Sequence, residues 1–160
     1  MQRRHMSEPL CASVLSNLRS AIALLSETIG QFDESAWTKP GIDAFQVPVT
    51  IAMHTVECLD YYFRSDTTTP WIWGGWWQHP DDIKPSPMEL LAYLQDVTAR
   101  VEAHLASSTD TELAEPYDAG HEHGHTRLEY YIYALRHTMQ HHGALSLLAL
   151  QAGYPAGHWE

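Results

Sequence analysis

From Tyr130 to Ala152 the chain carries one formal charge, Arg136. Apolar and small residues recur through this stretch every three or four positions, the period of an α-helix. Thr126-Arg127-Leu128-Glu129 at its start has the form of a capping box, and Gly153 and Pro155 follow its end. A helix from about Thr126 to Ala152 is expected. One side would carry Tyr130, Tyr133, Ala134, His137, His141, Ala144 and Leu148, the other Leu128, Ile132, Leu135, Met139, Ser146 and Leu150. A helix that is apolar on both sides is expected to be buried on both sides. That requires either a central place in a bundle, under a covering loop, or a subunit interface. A homodimer is the favoured expectation.

Three further helices precede it. The first is expected from about Glu8 to Ile29, with Ser7 as cap, Pro9 in its first turn and Gly30 just past its end. Leu10, Val14, Leu15, Leu18, Ile22, Leu25 and Ile29 form its stripe. The second is expected from Pro48 to Phe63, with Val47, Ile51, His54, Cys58 and Tyr61 on one line. Between these two, positions 33–45 read as irregular, with a turn at Pro40-Gly41. The third begins at Ser86-Pro87-Met88-Glu89, another capping box, and its stripe is Leu91, Leu94, Val97, Val101 and Leu105. No stretch alternates convincingly as a strand, so an all-α four-helix bundle is expected, as one domain over 1–160. The connection from Phe63 to Ser86 is too long for a tight hairpin, and a crossover of that length lets the second and third helices run parallel.

Composition narrows the class of function. At 160 residues the chain can bury roughly 70% of its unfolded surface without disulfides. A formal charge of −11 argues against a nucleic-acid backbone or a polybasic membrane contact. Cys11 and Cys58 lie within apolar helical patterns, which suits reduced core residues in the cytoplasm. No apolar run follows the basic opening, so no secretory leader is expected, and the C-terminal stretch is too polar for a membrane span.

Chemistry concentrates in histidine. His137 and His141 are four apart, so on a helix they sit one turn above each other on one face. The chain has eleven histidines, enough for one such spacing to arise by chance. The stronger argument is the direction they share with Ala134, Ala144 and Leu148, toward an interior. Burying two imidazoles without partners costs roughly 1–3 kcal/mol each, and a shared metal ion removes that cost. Hydrogen-bonded core histidines are the competing reading. His54 lies on an inward stripe as well and is the candidate third ligand. Three imidazoles on Zn²⁺, Ni²⁺ or Fe²⁺ leave coordination positions open for water or a substrate atom.

Thr50-Ile51-Ala52-Met53-His54, together with His137-Thr138-Met139-Gln140-His141-His142-Gly143, resembles the DinB/YfiT-like superfamily of four-helix-bundle proteins. Helix count and the long crossover agree with it over most of the chain. The resemblance implies an up-down-down-up course, frequent dimers and a divalent metal on His54, His137 and His141. It also implies chemistry of the kind seen in thiol-dependent transferases and isomerases, with a low-molecular-weight thiol as possible cosubstrate. Relatives often carry Arg where this chain has His142.

Glu57, one turn beyond His54, is the candidate general base, with a carboxylate supporting a ligand, a fourth ligand and a solvated helix carboxylate as the other readings. Tyr61 and Tyr133 line the same cavity or are simply core. His121, His123 and His125 form a second metal site, place a histidine near the substrate, or are an exposed polar loop. Trp71, Trp73, Trp76 and Trp77 form a lid over the metal pocket, cap the exposed end of the core, or contact a second subunit. The expected function is a metal-dependent enzyme that activates water or a small thiol against a small-molecule substrate. The alternative is a non-catalytic, stress-associated metal-binding or interaction protein.

Overall fold

The computed structural model describes residues 8–42, 46–64, 84–118 and 123–155. The Trp71–Trp77 cluster, Ser7 and His121 lie outside them. Six helices follow in order: α1 Pro9–Gln31, α2 Glu34–Trp37, α3 Pro48–Phe63, α4 Pro87–Ser107, α5 Asp110–Ala114 and α6 Arg127–Gln151. Among the described residues there is no strand, only a single bridge between Pro116 and Thr126. The fold class is all-α.

α3 spans the expected residues, and α4 and α6 begin where local chemistry predicts. Ser86 and Glu89 close a capping box on α4, and Thr126 and Glu129 close one on α6. Each such cap is worth about 1 kcal/mol. Gly153 ends α6 with φ +89°, the left-handed conformation that glycine adopts without steric cost, while its N–H returns to Leu150 O.

Three expectations need correcting. Gly30 does not stop α1, which runs on to Gln31 and ends where Phe32 turns extended. Positions 33–45 are not wholly irregular. Asp33 accepts a 2.9 Å hydrogen bond from Ala36 N and starts the short helix α2. A second short helix, α5, follows α4 with its own Thr109–Glu112 capping box. Both were too short to show a period, and each inserts one side chain, Trp37 or Leu113, fully into the core.

One contiguous cluster of buried apolar side chains draws on all six helices. α1 and α3 each pack against both α4 and α6. α4 contributes Leu90, Leu94, Val97, Val101 and Leu105; Leu90, not Leu91, takes the first buried position. α1 is long and apolar enough, by length and composition, to cross a membrane. Its apolar stripe, Val14, Leu18, Ile22, Leu25 and Ile29, is buried in the shared core. α6 differs from expectation on its outward side. Ile132, Leu147 and Leu150 are 46%, 52% and 54% exposed, so the described residues bury only the side that meets α1 and α3.

Candidate metal centre

α3 delivers His54 and α6 delivers His137 and His141 to one point between the two helices. The helical spacing of 137 and 141 brings their rings together edge-on, with centroids 4.4 Å apart at 71° and the two Nε2 atoms 3.1 Å apart. The His54 ring meets them edge-on across the interface, at 5.2 Å from His137 and 4.8 Å from His141. One ring nitrogen from each histidine lies within 4.8 Å of the other two. Bond lengths of about 2.0–2.1 Å at a tetrahedral ion place ligand nitrogens about 3.3 Å apart. The His137–His141 pair already has about that separation, and a His54 ring nitrogen lies within 4.8 Å of both.

Electrostatics favour a cation here. Burial, followed by the charge of His141, pushes His54 down to about 4. Burial and the neighbouring histidines push His137 to about 4, and burial lowers His141 as well. All three are therefore neutral at pH 7, the form in which an imidazole offers a lone pair to a metal. His137 Nδ1 is also buried with no hydrogen-bond partner. A buried polar atom left unmatched costs about 1–3 kcal/mol; the nitrogen that faces His141 is Nε2, so an ion between the rings would be held through Nε2 and leave Nδ1 as it is. The residues present fit a divalent metal.

The walls are aromatic and soft. Tyr133 stacks on His137 at 5.9 Å and 27°, and Tyr62 meets His137 edge-on at 5.8 Å. Cys58 Sγ lies 3.6 Å from His54 Nδ1, one turn along α3, and burial raises its thiol to about 12. It is a protonated, unreactive thiol at neutral pH. His123 packs on the Tyr133 ring at 4.3 Å and is among the groups that depress His137. So one histidine of the 121–125 loop approaches the site, while His125 is exposed. Tyr61 faces Arg64 across a cation–π contact on the far side of Tyr62.

Two residues flagged by sequence stand apart from the triad. Glu57 is buried but is not a member of the three-histidine group. Its electrostatic neighbours are Asp60, Cys58 and Tyr93 of α4. His142 points away from the site, toward α1, where its Nε2 shares hydrogen bonds with Thr28 Oγ1 at 3.1 Å and Ser146 Oγ at 3.2 Å. It locks the turn of α6 that carries His141 onto α1.

A family model described as the DinB superfamily matches residues 50–145. The chain belongs to the DinB superfamily. The matched span starts four residues before His54 and ends four after His141, so it holds all three histidines of this DinB-superfamily chain. No curated protein matches the chain.

Glu57 gives this DinB-superfamily chain a pH signature. Burial, with Asp60 adding to it, raises its carboxyl from 4.5 to about 7. A carboxyl raised on folding favours the native state below its unfolded pKa and loses that contribution as pH rises through the folded value. Glu57→Gln should therefore be close to neutral near pH 4 and stabilising at pH 8. The expected gain is up to about 3 kcal/mol, at 1.36 kcal/mol per unit. Urea denaturation of both proteins across that range checks it; a difference that does not vary with pH refutes it.

Proposed function

We propose that this protein binds one divalent metal ion, Zn²⁺, Ni²⁺ or Fe²⁺, on His54, His137 and His141 and is a metal-dependent enzyme. The observation that carries the reading is the convergence of three neutral imidazoles from two helices on one point. A metal held there would activate water or a low-molecular-weight thiol for attack on a small electrophile. Tyr62 and Tyr133 shield the imidazoles from water, and His142 holds α6 in register. Glu57 is the candidate proton acceptor, with a carboxyl near 7, as a general base needs.

Metal-loaded protein assayed against a panel of thiols and electrophiles tests this. Turnover is expected, reduced at least about 100-fold in His137→Ala and about 100-fold or more in Glu57→Gln. Metal-dependent turnover that survives His137→Ala would sink the assignment of the site. Unchanged turnover in Glu57→Gln would return that residue to α3–α4 packing. A second reading is a metal-binding protein without catalysis. The position of Glu57 outside the three-histidine group favours it, and absence of turnover in a fully loaded protein would select it.

The same reading includes an up-down-down-up four-helix bundle. Phe32 against Tyr154 and Thr28 against His142 support α1 and α6 running in one direction. Tyr62 against Tyr130 supports α3 running against α6, and Phe63 against His104 supports α3 and α4 running together. The two unpaired cysteines support a cytoplasmic, reducing setting. The outward face of α6, with Ile132, Leu147 and Leu150, supports a homodimer. Sedimentation equilibrium should then give a dimer that Leu147→Glu with Leu150→Glu converts to monomer; a wild-type monomer refutes it.

A further inference from the structure

Beside the triad, on the other side of Tyr62, the ends of α3 and α4, the short helix α5 and the start of α6 line a cavity of about 390 Å³. A smaller one of about 200 Å³ adjoins it and shares Tyr62, Arg64, Tyr117 and Tyr130. A cavity of this size accommodates a small organic molecule. Its apolar surfaces are tyrosine rings: Tyr62 meets Tyr130 edge-on at 5.3 Å, and Tyr130 meets Tyr117 at 5.1 Å.

Its cations are two half-buried arginines. Arg64 lies over the Tyr61 ring and Arg127 over the Tyr117 ring, each 4.8 Å from the centroid. A guanidinium stacked on a ring keeps its planar fork in place and loses less freedom when it binds an anion. Two carboxylates also line the space, and both belong to exposed residues, Glu112 and Glu115. Glu112 Oε2 is already engaged, accepting from Thr109 N at 2.7 Å and Thr109 Oγ1 at 3.0 Å. His104 is held by the Tyr131 hydroxyl at 2.6 Å. Arg127 hydrogen-bonds to Tyr131 and faces the Glu112 charge, so the half-buried cations have one exposed carboxylate beside them, and the half-buried surface is aromatic.

We infer that this cavity binds a small aromatic carboxylate, its ring against Tyr62, Tyr117 and Tyr130 and its carboxylate met by Arg64 and Arg127. Tyr62 places the ligand one ring from His137, since the two centroids are 5.8 Å apart. This deepens the proposed function by naming the substrate class, and it rests on that reading only for the link to the metal.

Titration of metal-free protein with 3-phenylpropionate, followed by amide chemical shifts and calorimetry, tests the cavity independently of any metal. The expected result is binding with shifts centred on Tyr117 and Tyr130. 3-Phenylpropan-1-ol, acetate and inorganic phosphate should each bind at least about 10-fold more weakly. A charge-assisted hydrogen bond is worth about 1.5–3 kcal/mol, so Arg64→Gln and Arg127→Gln should each weaken 3-phenylpropionate about 10- to 100-fold. Arg64→Lys should fall between wild type and Arg64→Gln. Circular dichroism identifies any variant that fails to fold, and one folded arginine variant suffices to decide. Equal binding of the alcohol, binding of phosphate as tight as the carboxylate, or no loss in a folded arginine variant overturns the proposal. Co²⁺-loaded protein tests the link: the bound ligand's proton signals should broaden in wild type and not in His54→Ala. Binding without broadening in a Co²⁺-loaded protein overturns the substrate assignment. A protein that takes up no Co²⁺ but still binds 3-phenylpropionate fails the metal reading alone.

Discussion

Freshly purified wild-type protein should hold about one divalent metal ion per chain, and His54→Ala should hold almost none, by elemental analysis of both. The expected effect is large because each ring supplies one third of the protein's ligands, and two imidazoles one turn apart on α6 do not enclose an ion alone. Metal at 100 times its dissociation constant adds about 2.7 kcal/mol to the folded state. For a domain of this size that is a rise of about 5–10 °C in Tm. The rise should be seen in wild type and be absent from His54→Ala, His137→Ala and His141→Ala. The metal-free variants should remain folded, since all three rings are only partly buried and none anchors the core cluster. Equal metal content in wild type and His54→Ala would show that the ion sits elsewhere and would refute the site.

Trp37→Ala should cost about 3–5 kcal/mol by the removal of a buried aromatic side chain, and about 1 kcal/mol more for its hydrogen bond. Trp37 is 2% exposed, lies 5.5 Å from the Phe32 ring, and donates from Nε1 to Pro85 O at 2.7 Å. It ties α2 and the end of α1 to the residue before the α4 cap. Trp37→Phe keeps most of the packing and loses the donor, so about 1–3 kcal/mol is expected for it. Urea denaturation measures both. Metal content should be unchanged in either variant while it stays folded, because Trp37 touches none of the three histidines. A loss in Trp37→Ala below about 1 kcal/mol would mean that α2 does not close the bundle as described.

The four long helices were legible because each repeats an apolar spacing over several turns and three of them carry local start or stop signals. The boundaries of α3, and the capped starts of α4 and α6, match the expectations. α2 and α5 were not legible, at four and five residues, because a helix of about one turn has no period to detect. The three histidines were legible as inward positions on two helices, and the family motif joined them. Tyr62 and Cys58 were not assigned to the site, and His123 was only one of three loop histidines that could approach it, because nothing local marks which residues of α3 and of the loop before α6 face the same point. His142 had no role in the sequence reading; the structure gives it one, a hydrogen-bonded contact with α1.

What the sequence determined by itself is what acts over one or two turns: helical period, the capping boxes, and the placement of His137 and His141 one turn apart on one face. Only the tertiary structure decided the contacts between positions far apart along the chain. His54 meets the α6 pair because α3 packs against α6 at that register. Arg64 and Arg127 line one cavity because the end of α3 lies beside the start of α6. The cap of α1 shows the division most plainly. No side chain adjacent to α1 caps it among the described residues. The carboxylate of Asp110 does so, accepting from Leu10 N at 3.1 Å and Cys11 N at 3.0 Å, while Glu8 accepts from Asp110 N in return. A helix start leaves N–H groups that need acceptors, and local sequence states the need. Which distant residue meets it is decided by packing, because shared burial of apolar faces is what brings the two segments together.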